Sequence, residues 1–237
     1  MTRGILIAGN ESSLFNAVSA EALRRVKSLA SVLVPNRFSQ AAPPLTPSAT
    51  AAETAAPAAV SAEGAIPLSW NPASSISART LVLAAENRIG KINDAIIVCS
   101  PPAVYRTIET LTPEEIDFIV NTQIKGWFFL VRELALYFRS QGSGSLSLIS
   151  PEISASSSGG KNAPVDLLGP AAAASFKNFA QGILTSTENE SFQLMGFSNS
   201  DADNDNDFAE WVFKYIDEGN KKNSGRWFKY SKLKFFR

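Results

Sequence analysis

The stretch Ile5–Val18, ILIAGNESSLFNAV, reads as an apolar strand, a polar turn and the start of a helix, the way nucleotide-binding α/β domains often open. In such a turn, glycines fold the chain tightly, let backbone N–H groups reach a pyrophosphate and let the helix pack on the strand. Here only Gly9 is present. Outward from it, Gly4 to Ala8 and Ser31 to Val34 read as strands, with a helix from about Ser12 to Leu29 between them, so the chain begins as a βαβ unit.

From Ser39 to Gly64 the pattern stops. SQAAPPLTPSATAAETAAPAAVSAEG is too rich in Ala, Pro, Ser and Thr to bury anything, and the expectation is a flexible surface loop. AIPLSW then reads as a strand, Ile76 to Arg88 as an amphipathic helix and DAIIVC as a buried strand. TPEE opens the next helix: Thr112 caps it, Pro113 takes the first helical position, and Glu114 and Glu115 suit the positive end of the dipole. It is expected to run to about Ser140, with Ile116, Ile119, Val120, Ile124, Trp127, Val131, Leu134 and Phe138 at helical spacing. Phe128, Leu130 and Leu136 lie off that stripe. A helix apolar on more than one face packs on a sheet and on something else besides. SLSLIS, a Ser/Gly-rich loop from about Glu152 to Lys161, a helix PAAAASFKNFAQGILTS, a strand SFQLMGF, a helix AEWVFKYIDEG and a strand RWFKYSK complete the alternation. The fold class is therefore α/β, a Rossmann-like doubly wound parallel sheet with helices on both faces.

Composition narrows the chemistry. A chain of 237 residues with 45% hydrophobic side chains can bury one core, so residues 1–237 are expected to form one domain. Lys+Arg and Asp+Glu are both 22, giving a formal net charge of +0 and no bulk field for nucleic acid or an acidic membrane. The lone Cys99 rules out an intramolecular disulfide, and the count of 0 histidines removes Ser-His-Asp hydrolases and zinc enzymes as leading ideas. No apolar run reaches the roughly 18 residues needed to span a bilayer. A cytoplasmic protein without a metal, nucleic-acid or membrane partner is expected. DADNDND, Asp201 to Asp207, has alternating acids like a calcium loop, but Asn206 and Val212 stand where that loop needs Gly and Glu; an acidic loop ending in a helix cap at Asp207 is the better reading. KKNSGRWFKYSKLKFFR interleaves cations and aromatics as single-strand nucleic-acid binders do, yet its alternation reads better as a strand with one buried face.

In order and spacing the chain resembles the short-chain dehydrogenase/reductase family. NRIGKINDAIIV is similar to the helix end and strand before the family's Asn-Asn-Ala-Gly motif. LTPEEIDFIVNTQIKGWFFLVRELALYF is similar to its long central helix, including the Lys-Gly pair at Lys125 and Gly126. GSLSLIS matches the strand leading to the catalytic serine. The resemblance implies an NAD(P)-binding fold and site residues that can be carried over one at a time. The three glycines of the family's first turn correspond to Gly9, Ser13 and Phe15, so Ser13 places a Cβ, and Phe15 a ring, where close approach is required. The Asn-Asn-Ala-Gly region reads VCSPP. Of the catalytic Asn, Ser, Tyr and Lys, the asparagine position holds Gln123 and the serine position Pro151, with Ser150 one step away. The tyrosine position holds Ala173, and only Lys177 is retained. Asn36 and Arg37 close the second strand, where the family reads the adenosine ribose, and an arginine there suits NADP rather than NAD. With this turn no cofactor is expected; NADP or NAD is the class if one binds. The expectation is a catalytically inactive structural or interaction subunit, the alternative an NAD(P)-dependent oxidoreductase with an unconventional site. The family's two central helices, here 113–140 and 170–187, pair across a two-fold axis, which implies a homo- or hetero-oligomer built on them.

Overall fold

The computed structural model describes residues 3–26, 28–34, 64–152, 164–186, 190–200 and 204–231. The Ala/Pro-rich segment up to residue 63 and most of the Ser/Gly-rich segment after Glu152 lie outside the described residues. The elements in chain order are β1 (Gly4–Asn10), α1 (Ser13–Arg25), β2 (Ser28–Val34), β3 (Ile66–Leu68), α2 (Ser75–Ile89), β4 (Ile92–Val98), β5 (Tyr105–Arg106) and α3 (Pro113–Ile119). A π-helical turn (Val120–Lys125), α4 (Gly126–Gln141), β6 (Ser145–Pro151), β7 (Val165–Asp166), α5 (Leu168–Ser186), β8 (Gln193–Asn199), α6 (Asp205–Glu218) and β9 (Arg226–Tyr230) follow.

Seven strands form one sheet in the order β3-β2-β1-β4-β6-β8-β9, every neighbouring pair parallel. All residues of β1 are buried, because a central parallel strand is covered on both faces. Its side chains alternate between two cores. Leu6 and Ala8 join Leu81 of α2, Trp127 and Leu130 of α4 and Phe176 of α5, whereas Ile5 and Ile7 join Phe15 and Val18 of α1 and Phe208 and Phe213 of α6. The doubly wound reading holds.

Three local expectations need correction. The first helix stops at Arg25, and Leu29 belongs to β2; Ala22, Val26 and Leu29 mimic helical spacing, but Val26 is already extended and only donates its N–H back to the Ala22 carbonyl. The long central helix is not regular. Thr112 and Glu115 close a capping box at its start, the Glu115 N–H donating to Thr112 Oγ1 at 3.2 Å and the Thr112 N–H to Glu115 Oε2 at 3.1 Å. At Val120–Lys125 the helix widens, and the Gly126 N–H donates to the Asn121 carbonyl. A Cβ on Gly126 would lie 2.6 Å from Pro72 Cβ, so glycine lets the α2 approach loop close on this turn. Finally, α6 begins at Asp205 with Asn204 as its N-cap, and Asp207 sits inside the first turn instead of capping it.

The wider turn separates the apolar stripe into two faces. Trp127, Leu130, Val131, Leu134 and Phe138 are buried, whereas Ile116 and Val120 are exposed (39% and 41%). Phe128 is covered within the chain by Phe179, the ring centroids 3.8 Å apart, and Phe129 is half-buried. Beyond the main sheet, β5 and β7 pair as a short antiparallel ribbon. The buried Asp166 anchors it by accepting the Val104 N–H at 3.1 Å and the Gly169 N–H at 2.9 Å. No described helix is long and apolar enough to cross a membrane.

Candidate functional site

The chain runs from β1 outward to β2 and β3 and then returns to place β4 on the other side of β1, so a crevice opens at the carboxyl ends of β1 and β4, the usual place for a ligand in an open α/β sheet. Asn10 ends β1 there, 2% exposed. Its side-chain carbonyl accepts the Ser100 N–H at 3.3 Å, and its Nδ2 has no partner among the described residues. Ser12 caps α1 by accepting the Phe15 N–H at 3.1 Å. A cleft of about 330 Å³ lies beside this turn. It is walled by Ser12, Ser13 and Leu14 at the start of α1, by Ser100 after β4, by Pro151 and Glu152 at the end of β6, and by Asn199, Ser200 and Asp205 between β8 and α6. That volume is near the lower limit for small-molecule pockets.

The two displaced glycine positions have different fates. Phe15 is fully buried, and its ring fills the space over Gly9, where an added Cβ would collide with it. Gly9 is thus still required as glycine, but by the Phe15 ring rather than by a phosphate. A ring wedged between β1 and α1 also replaces the close strand–helix packing that a dinucleotide turn depends on. Ser13 instead turns its hydroxyl to Asp205, donating to Oδ2 at 2.6 Å, while Asn199 Nδ2 donates to the other carboxylate oxygen at 3.2 Å.

Of the positions that correspond to the family's catalytic residues, the one for tyrosine holds alanine, and the other three carry contacts of their own. Gln123 lies in the π turn, fully buried; its Nε2 donates to Thr122 Oγ1 at 3.3 Å, and its Oε1 is unpartnered among the described residues. Ser150 is 1% exposed and, among the described residues, reaches the Pro151 carbonyl at 3.4 Å. Pro151 ends β6, paired with Asn199. Ala173 is buried in α5. Lys177, one turn further on, has its ammonium 3.7 Å from Glu152 and 5.8 Å from the centre of the Trp227 ring. Glu152 is held more tightly by Lys229, at 2.8 Å. That hydrogen bond, with the nearby Lys177 charge, holds the Glu152 carboxyl below the usual carboxylate range despite partial burial.

No tyrosine makes up for Ala173. Tyr137 donates to Glu86 and accepts the Ile92 N–H at the opposite end of β4. Tyr215 and Tyr230 belong to an aromatic cluster around Trp211, and Tyr105 is exposed on the β5–β7 ribbon. Cys99 is fully buried, and burial pushes its thiol far above its ordinary value, so the sulfur is no nucleophile. Asn36 and Arg37, with Asp201 and Asp203 of the acidic run, lie outside the described residues. Sequence reasoning missed Glu152 and Asn10 and took Asp205 for part of an acidic loop, because each gains its meaning from partners far along the chain.

No protein-family model matches the sequence, and a comparison with curated proteins finds no match. Solved structures do match. A 3-ketoacyl-(acyl-carrier-protein) reductase from Brucella melitensis, complexed with NADH, is similar over 95% of this chain and 96% of its own, with a TM-score of 0.66 and 12% identity. Levodione reductase aligns over 97% of this chain and 96% of its own, at TM-score 0.64 and 14% identity. A double variant of a short-chain dehydrogenase/reductase from Serratia marcescens aligns over 96% and 95%, at TM-score 0.61 and 14% identity. The fold is that of the short-chain dehydrogenases/reductases, carried by a sequence only 12% to 14% identical to these three.

Proposed function

We propose that this chain is a catalytically silent member of the short-chain dehydrogenase/reductase fold that acts as a structural or interaction subunit. The observation that carries the reading is the packing of Phe15: its ring is fully buried over Gly9, so the dinucleotide turn has become part of the hydrophobic core. The catalytic positions agree with it. Ala173 offers no phenol, and Lys177 is engaged by Glu152. Without a general acid beside a positioned carbonyl and hydride donor, reduction by the family mechanism has no proton source.

Association is the other half of the proposal. α3 and the π turn pack against α5. They carry the exposed Ile116 and Val120, and α5 presents the exposed Ala171 and Ala174 and Gly182, around which there is open space. Small residues beside exposed aliphatic ones allow close helix approach. We place a homo- or hetero-oligomer contact on the helices within 113–140 and 170–187, nearer α3 than the aromatic residues of α4.

The competing reading is an NAD(P)-dependent oxidoreductase with an unconventional site around Lys177, Ser150 and Gln123. The retained Lys177 and the NADH complex of the Brucella reductase favour that alternative. Calorimetric titration with NADH and NADPH separates the two. A flat trace at millimolar cofactor is expected, and a well-fitted isotherm tighter than about 100 μM, roughly 5.5 kcal/mol, would move the assignment to the enzyme.

A further inference from the structure

A helix of 13 residues such as α1 ends in backbone N–H groups without intrahelical acceptors and favours an anion at its N-terminus. α1 has no acidic residue in its own first turn. The anion comes from another helix. Asp205, the first residue of α6, accepts the hydroxyl of Ser13, the first residue of α1, at 2.6 Å, so its carboxylate lies beside the start of α1 while also standing at the start of α6. Asn199 at the end of β8 fixes the second oxygen at 3.2 Å.

We infer that the Asp205 carboxylate is a built-in substitute for a bound phosphate at the N-terminus of α1, an internal contact that closes this end of the cleft to phosphate-bearing ligands. Charge supports the assignment. Among the described residues the cleft wall includes Asp205 and neither lysine nor arginine, and its other carboxylate, Glu152, is paired with Lys177 and Lys229. An incoming phosphate therefore meets the Asp205 carboxylate at the one favourable helix end it needs. Beneath the turn, the unpartnered Asn10 Nδ2 is a further donor that the internal anion leaves unused. The inference rests on the reading that the cleft holds no dinucleotide, and it adds which residue excludes one.

The test is a titration of the full chain with inorganic pyrophosphate at constant ionic strength, followed by thermal unfolding and calorimetry, for the unmodified protein, Asp205→Ala, Asp205→Asn and the charge-matched control Glu210→Ala. Ligand linkage makes the unfolding temperature climb continuously with concentration only where the folded state binds. The unmodified chain and Glu210→Ala are expected to show no such climb. Asp205→Ala is expected to lose stability, recover part of it as pyrophosphate is added and bind the anion at least about tenfold more tightly than the unmodified chain does. Asp205→Asn, which keeps the shape and removes the charge, decides the matter if the alanine variant does not fold. Equal responses in all four proteins, or none in either Asp205 variant, would overturn the inference. NADH binding by the unmodified chain would instead overturn the functional reading on which it rests.

Discussion

Replacing Phe15 by alanine tests whether its ring is core or gate. The side chain is 0% exposed and belongs to the core between the sheet and helices α1 and α6, so truncation should cost about 3–5 kcal/mol. Alanine is the better helix former by roughly half a kcal/mol, which leaves about 2.5–4.5 kcal/mol to be measured. The partner change is Gly9→Ala. Gly9 is not among the glycines with positive φ, so the cost of a side chain there comes from space alone: the new methyl collides with the Phe15 ring and lies 3.0 Å from the Val98 carbonyl oxygen. Overpacking of this kind costs about 1–3 kcal/mol. In a double-mutant cycle the two losses should fall short of their sum by about 1–2 kcal/mol, because the ring that resists the methyl is gone. Urea unfolding at equilibrium reads all four proteins, provided the slopes agree. A Phe15→Ala loss below about 1 kcal/mol, or strict additivity, would mean that the ring is not wedged over Gly9, and the argument against a dinucleotide turn would fall with it.

Ala173→Tyr, which restores the missing phenol, is expected to give no cofactor oxidation with generic ketones and, since Ala173 is 5% exposed, to lose about 1–3 kcal/mol by overpacking; measurable turnover in a coupled absorbance assay refutes this. Joint Ile116→Glu and Val120→Glu should dissociate the oligomer while Lys177→Ala leaves its mass unchanged, and light scattering that finds the unmodified chain a stable monomer at micromolar concentration rejects the interface. Acid should weaken the fold through Asp217: burial alone would raise its pKa, but Arg25 and Arg3 outweigh that and hold it below the ordinary value. A depressed folded pKa gives stability that is complete above the unfolded value of about 3.9 and lost as pH falls through the folded one. Asp217→Asn should therefore flatten the acid limb of a melting-temperature profile below about pH 4, and an unchanged limb counts against the arginine pairing.

The strands of the seven-stranded sheet were legible because each carries a simple signal, whereas the two-residue strands β5 and β7 were not read from the sequence. β1 carries the apolar run ILIA and β4 the run AIIV since both faces are covered, and DAIIVC announces itself without any knowledge of its neighbours. Helix phase was harder. Ile116, Ile119, Val120, Ile124 and Trp127 fit one stripe on a regular helix, yet the π turn at Val120–Lys125 inserts extra winding, and a stripe drawn across it joins residues that end on different faces. Ile116 and Val120 are exposed while Trp127 is fully buried, and no single residue in VNTQIK marks the change of phase.

The candidate site divides along the same line between local and distant causes. What is missing was visible locally, since the lost glycines and the alanine at 173 are properties of single positions. What replaces it was not. Ser13 reads as an ill-placed Cβ until Asp205 is brought to it from the other end of the domain by the packing of α6 on α1. Lys177 reads as a retained family position, and which groups engage it, Glu152 and Trp227, is visible only in the fold. Each departure from the family pattern is matched by a contact within the chain: Phe15 packs over Gly9, Asp205 accepts the Ser13 hydroxyl and Glu152 pairs with Lys177. On the proposed reading of a catalytically silent subunit, these contacts occupy the turn and engage the lysine, and the exposed Ile116 and Val120 are the surface on which a partner is to be sought.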